Sequence, residues 1–204
     1  LFYNQSSFWR QALGHCLKAE GDWCHVIGSQ KTCVATQSSD TVPVLLALNA
    51  SVELLSATGT RRLSLRDLYR FNGMDHLVLE KGELLTRVLV PKVPAGFRGS
   101  YRKLRTRDSI DFPQLGLAIA GVWSGQECQS LDIVVGAVGP VPKPVLQLEG
   151  FLGGALDDAA IEGISKRVVK TARPNTSVHG DVGWRRAMSG LFASRMLRDL
   201  QALK

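Results

Sequence analysis

Three strand-like runs, at 101–105, 115–123 and 131–138, follow one another in the second half of the chain. Two helical periods come after them, with no further strand signal. The apolar run Ile133 to Val138 has the length and composition of a buried strand, and no run approaches the ~18 apolar residues of a membrane span. A proline-rich turn at 139–144 separates the strands from the helices. The first helix is predicted over 157–172, with Ile161, Ile164, Val168 and Ala172 on one face, and it stops before Pro174. The second is predicted over 183–203, with Trp184, Ala187, Met188 and Leu191 turned inward. Strands first and helices last give an α+β layer.

The first half of the chain reads differently. Residues 1–38 are rich in Ser, Gln, Cys, His and Trp. Within them Trp9, Ala12, Leu13, Cys16 and Leu17 recur at helical spacing, with Gly21 placed to end that helix, and the remainder reads as loop. Ser39-Asp40 stands before a helical stretch at 42–48, where the carboxylate can cap free amides. A hairpin is predicted from 51–56, a Thr58-Gly59 turn and 61–65, then a short helix near 66–69 and a strand at 84–90 closed by Pro91. The Pro94-Ala95-Gly96 segment is the expected linker.

With 45% hydrophobic residues, 204 residues can bury a substantial core, so a folded protein is expected. The formal charge of +7 permits nucleic-acid binding. However, the basic residues are dispersed in pairs (Arg61-Arg62, Arg102-Lys103, Arg185-Arg186), and the bland reading is a surface that faces an acidic partner or a phosphorylated ligand. The start at Leu1, without a basic segment and a long apolar stretch after it, argues against a signal peptide, and a cytoplasmic location is expected.

Three of the four cysteines, Cys16, Cys24 and Cys33, lie in the first 38 residues. Thiolates on a polar loop can converge on an iron-sulfur cluster, because soft sulfur suits iron. A zinc site that adds His15 or His25 is the alternative, and ordinary buried thiols are the plain one. Asp40, with the hydroxyls around it, can bind a polar ligand or simply cap a helix. The basic strand Tyr101-Arg102-Lys103-Leu104-Arg105, followed by Asp111-Phe112-Pro113, can place a lysine beside an electron-accepting ring or present a solvated face. No Gly-x-Gly-x-x-Gly, Walker loop, Gly-x-Ser-x-Gly or His-Glu-x-x-His motif occurs, and nothing argues for independent hydrolysis.

Taken together, Tyr3-Asn4-Gln5-Ser6, Trp9-Arg10, Cys16-Leu17-Lys18, Cys24-His25-Val26, Cys33, Ser39-Asp40-Thr41, Gly82-Glu83-Leu84-Leu85, Tyr101 to Arg105 and Trp184-Arg185-Arg186 resemble the FAD-binding subunit of 4-hydroxybenzoyl-CoA reductase, a molybdenum hydroxylase of the xanthine dehydrogenase and CO dehydrogenase group. The resemblance implies three parts: a cysteine-containing inserted loop at 1–38, the second FAD-binding subdomain at 39–96, and a C-terminal α+β domain at 97–204. It implies FAD contacts at Asp40, Leu85 and Lys103, and a four-iron four-sulfur cluster on Cys16, Cys24 and Cys33 with its first cysteine expected just before Leu1. The implied partners are a molybdopterin-binding large subunit, a 2Fe-2S small subunit and the N-terminal FAD half-domain with its phosphate-holding loops. A xanthine, aldehyde or CO dehydrogenase-type flavoprotein subunit, which lacks the cysteine loop, is the nearest alternative. A non-catalytic basic interaction module is the alternative from another class.

Overall fold

The computed structural model describes residues 5–108, 110–176, 178 and 180–203. A four-stranded antiparallel sheet forms its centre, built from β4 (Phe97–Leu104), β5 (Leu115–Ser124), β6 (Glu127–Gly136) and the two-residue β7 (Lys143–Pro144), in that order. Both faces of this sheet are covered, which is why β5 reads as a nearly unbroken apolar run instead of an alternation. Leu115, Leu117 and Ile119 of β5 and Ile133 and Val135 of β6 point to one face. There they meet α3 (Asp158–Thr171) and α4 (Val182–Ala202). The intervening Ala118, Ala120 and Val134 face the opposite way, into a second core. That core holds α2 (Thr41–Ala47) together with Val52 and Leu54.

The small residues on this second face let α2 approach closely. A methyl added at Gly136 would stand 2.7 Å from Pro43 Cγ. A three-stranded antiparallel sheet, ordered β2 (Gly59–Ser64), β1 (Ser51–Ser56) and β3 (Leu84–Leu89), completes the layer beside α2. The hairpin, the short 3-10 turn at Leu65–Leu68 and the strand before Pro91 all form where the sequence places them. So do the three central strands, with β4 and β6 each extended by four residues at their N-terminal ends. The Pro94-Ala95-Gly96 segment joins the two sheets. Gly96 has φ 75°, and an added methyl would lie 2.0 Å from the Trp123 carbonyl oxygen. Gly96→Ala is therefore expected to destabilise the fold by about 1–3 kcal/mol, read as a lowered midpoint in urea unfolding.

One ion pair locks the three-stranded sheet. Arg61 donates from Nε and one terminal nitrogen to the two Glu83 oxygens at 2.6 and 2.7 Å, and the Glu80 amide donates to Glu83 at 2.8 Å. The guanidinium hydrogen bond, helped by that amide, pulls the Glu83 carboxyl down to about 2. The folded value lies below the ordinary 4.5, so this contribution is fully present above pH 4.5 and is lost as pH falls through about 2. Hydrogen-exchange protection factors of the β1 and β3 amides are expected to fall in that window. In Glu83→Gln the same loss of protection is expected to be already present at neutral pH.

Two helix readings need correction. The first helix, α1 (Ser7–Leu13), ends at Gly14 with φ 83°, so Cys16 is not on it. Cys16 instead forms a bridge with Trp23, and Leu17–Ala19 makes a separate 3-10 turn. Helix α1 has no buried residue, and Phe8, Trp9 and Leu13 are exposed. The last helix forms as expected but presents a different face. Trp184, Ala187 and Leu191 are exposed and Met188 is half-buried, whereas Arg185, Ser189, Phe192, Ala193, Met196, Leu197 and Leu200 are buried. Arg185 turned the reading, because a cation would not ordinarily be counted as core. Its guanidinium is satisfied by three carbonyls, donating to Gln114, Ala137 and Asn175 at 2.8, 2.9 and 2.9 Å.

Candidate functional site

Asp40 and Lys103 meet. The Lys103 ammonium lies 2.7 Å from Asp40 Oδ2, and the Tyr101 hydroxyl donates to Asp40 Oδ1 at 3.1 Å. The local sequence explains the meeting. On β4 the side chains alternate, so Phe97, Tyr101 and Lys103 share the face that covers α2. Arg98 and Arg102 take the other face and reach the C-terminal end of α4, where they bind the Leu200 carbonyl and Asp199. Asp40 sits at the start of α2 but does not cap it. Ser39 Oγ does so, accepting from the Val42 amide at 3.2 Å, which leaves the Asp40 carboxylate for the two side chains of β4. The helix-cap reading of Asp40 is thus corrected: its neighbour supplies the cap.

The pair is partly screened from water. The Lys103 side chain is 18% exposed and that of Asp40 46%. Burial, then the Asp40 charge and hydrogen bond, push the Tyr101 phenol far above its ordinary range. Tyr101 therefore stays a neutral donor that fixes the carboxylate. Gly116 makes room for it, since a methyl there would stand 3.1 Å from the Tyr101 hydroxyl. Tyr101 also lines an open, largely apolar cleft of about 340 Å³, together with Val44, Leu48, Val93, Phe97 and Ala118. Tyr101 thus joins the Asp40–Lys103 pair to the wall of this cleft. Leu85 lies on the other sheet, in register with Leu54 on β1, and its side chain is exposed on β3.

The cysteine loop closes on itself. Cys16, Cys24 and Cys33 are all buried, and none forms a disulfide. Burial is the main cause raising the Cys33 thiol; the Ala35 amide, which donates to its sulfur at 3.4 Å, opposes this, and the Cys24 and Cys16 thiols raise it further. Lys18 also acts on Cys33, lowering it, and its ammonium is anchored on the Gly73 carbonyl at 2.8 Å. A methyl at Gly73 would stand 2.9 Å from the Cys33 sulfur. His25 Nε2 lies 3.0 Å from the Gly14 carbonyl. Among the described residues no group of three or more His, Cys, Asp or Glu side chains is placed to hold a metal ion, so the zinc arrangement is not formed.

Sequence reasoning passed over Tyr101 and Arg185 as functional or structural anchors. Tyr101 was legible as the residue two positions before Lys103 on the same strand face. Arg185 carried no local signal, because its three carbonyl partners come from distant loops.

The family described as FAD binding domain in molybdopterin dehydrogenase matches residues 26–93, and that described as CO dehydrogenase flavoprotein C-terminal domain matches residues 99–200. The chain is 28% identical over 167 residues to the glyceraldehyde dehydrogenase medium chain of Sulfolobus acidocaldarius, covering 81% of this chain and 58% of that one. It is 27% identical over 165 residues to the carbon monoxide dehydrogenase medium chain of Afipia carboxidovorans, covering 80% and 56%. The solved structure of reconstituted CO dehydrogenase from Oligotropha carboxidovorans superimposes with a TM-score of 0.72 at 27% identity, over 80% of this chain and 56% of that chain. The chain thus spans somewhat more than half the length of these relatives. No helix of the described residues is long and apolar enough to cross a membrane. This chain belongs to the CO dehydrogenase flavoprotein C-terminal domain family, and ahead of that domain it carries an FAD-binding segment of the molybdopterin dehydrogenase type.

Proposed function

We propose that this chain is part of the FAD-binding, electron-transferring subunit of a molybdenum-dependent oxidoreductase similar to 4-hydroxybenzoyl-CoA reductase. The observation that carries the reading is the Asp40–Lys103 pair, held by Tyr101, which itself lines an apolar cleft, in a chain of this family. Bound FAD supplies a ring that accepts and releases electrons. Lys103 holds a positive charge toward that ring and stabilises negative charge on it, because opposite charges attract strongly where water is scarce. Asp40 orients the ammonium and offers a polar contact, and Tyr101 holds Asp40 in place. Leu85 offers an apolar surface to the ring. The loops that hold the FAD phosphates are supplied from outside these 204 residues.

In the same reading, residues 1–38 form the cysteine loop, 39–96 the second FAD-binding subdomain and 97–204 the C-terminal domain. Cys16, Cys24 and Cys33 give three ligands to a four-iron four-sulfur cluster, with the fourth from outside these residues. The fit rests on three buried thiols on one loop, an amide donor at one sulfur and a nearby lysine that favours negative charge. A molybdopterin-binding large subunit and a 2Fe-2S small subunit are the partners.

A second reading, a CO or aldehyde dehydrogenase-type medium chain without this cluster, is favoured by the names of the relatives. Iron content separates the two. The full complex, purified without oxygen, is expected to show flavin bands and about four iron atoms beyond those of its 2Fe-2S subunit. Flavin without the extra iron would select the second reading, and a complex with neither would end both.

A further inference from the structure

We infer that the cleft between β7 and the C-terminal turn of α3 is a second ligand site, which takes a small organic molecule carrying two or more phosphate charges. Lys143, Arg167, Lys170 and Arg173 line it, with Pro144 and Leu146 as its apolar part. None of the four cations forms an ion pair among the described residues. Elsewhere Arg61 has Glu83, Arg102 has Asp199 and Arg198 has Asp158. Here the single polar partner is neutral, the Gln147 amide oxygen that accepts from Arg167 at 2.5 Å.

Four like charges in one cleft repel one another. Burial, and then the Arg173 charge, lower the Lys143 ammonium from its ordinary value. The Lys143 ammonium is held 5.6 Å above the Phe71 ring, a placement that steadies a cation without neutralising it. Gln147, which tethers Arg167, has φ 63°, a left-handed backbone uncommon for a residue with a side chain. The end of α3 cannot account for the arrangement, because a helix C-terminus presents only about half a negative charge. A multiply charged anion satisfies it.

Shape and composition decide what kind of anion. The cleft measures about 470 Å³, within the span of about 300–1,000 Å³ typical of small-molecule sites. Leu146 is 68% exposed on its wall, an apolar platform unneeded by inorganic phosphate but suited to the organic part of a nucleotide. The cleft stands apart from the Asp40–Lys103 pair. Lys103 and Lys143 lie on opposite edge strands of the four-stranded sheet, three strand spacings or about 14 Å apart. The inference does not rest on the flavin reading.

Calorimetric titration of the 204-residue chain with adenosine diphosphate and with inorganic pyrophosphate tests it. Both are expected to bind, the nucleotide more tightly, with affinity falling as salt is raised. Lys143→Gln with Arg173→Gln is expected to weaken both by roughly tenfold or more, whereas Arg198→Gln, at an ion pair elsewhere, leaves them unchanged. Lys170→Gln alone, an exposed side chain, is expected to weaken binding by a smaller factor and keeps the test open should the double variant fail to fold. No binding of either compound at millimolar concentration, or equal losses in Arg198→Gln, would overturn the site. So would binding of polyglutamate that pyrophosphate cannot displace, which would make this an acidic-protein surface instead.

Discussion

Replacement of Arg185 by leucine is expected to lower the unfolding free energy by about 3–5 kcal/mol. The side chain is fully buried and ties three segments: the entry to β5 at Gln114, the exit of β6 at Ala137, and Asn175 between α3 and α4. Leucine would remove all three hydrogen bonds and leave the buried Ala137 carbonyl without this donor, where an unsatisfied group costs about 1–3 kcal/mol, and two partly buried bonds are lost besides. Lysine is expected to rescue little, because a point charge cannot span three acceptors as a planar fork does. Burial already lowers the Arg185 guanidinium from its ordinary value, the mark of a group that its partners must hold charged. For a chain of this length the loss corresponds to a melting temperature roughly 10 °C lower or more, measured by circular dichroism. The neighbouring Arg186→Leu, an exposed side chain with one carbonyl partner, is the control and is expected to cost under about 1 kcal/mol.

Cys24→Ser is expected to remove essentially all of the extra iron from the assembled complex while leaving its flavin in place. Serine is nearly the same size, and the turn around it is held by backbone bonds that survive: the Cys24 amide to the Ser29 carbonyl at 2.7 Å and the Gly28 amide to the Cys24 carbonyl at 2.8 Å. In the proposed cluster site, loading is also expected to improve with pH, because thiolates would be the ligands and the Cys33 thiol is raised by burial and by its neighbours. Cys128→Ser gives the contrast. Burial pushes the Cys128 thiol up to about 11, it sits on β6 inside the core, and its loss is expected to leave iron untouched. Iron content unchanged in Cys24→Ser would remove that residue from the ligand set.

Much of the fold was legible because its signals are local. Gly59 turns the hairpin, Pro174 closes α3, and the apolar runs of β5 and β6 are long enough to exclude exposure. What escaped depends on tertiary partners. The face of α4 was misread because apolar residues occur around the helix, and only packing against the sheet and α3 selects Phe192, Ala193 and Met196 over Trp184 and Leu191. Cys16 shares helical spacing with Trp9 and Leu13, but Gly14 ends the helix between them. The site was half legible. Asp40 and Lys103 are 63 residues apart in the chain and were chosen by resemblance, and the fold brings them to 2.7 Å. Their connection through Tyr101, and the role of Ser39 as the cap that releases Asp40, follow only from the meeting of α2 with β4.

The charge on Lys103 is most directly tested by a redox titration of the flavin in the full complex carrying Lys103→Met. Methionine keeps the length and packing of the side chain and removes the ammonium that stands 2.7 Å from Asp40. Flavin is expected to stay bound, with a midpoint potential about 30–60 mV lower, equivalent to about 1.4–2.8 kcal/mol for a two-electron couple. A potential identical to that of the unaltered complex, with flavin fully bound, would mean that Lys103 does not face the ring.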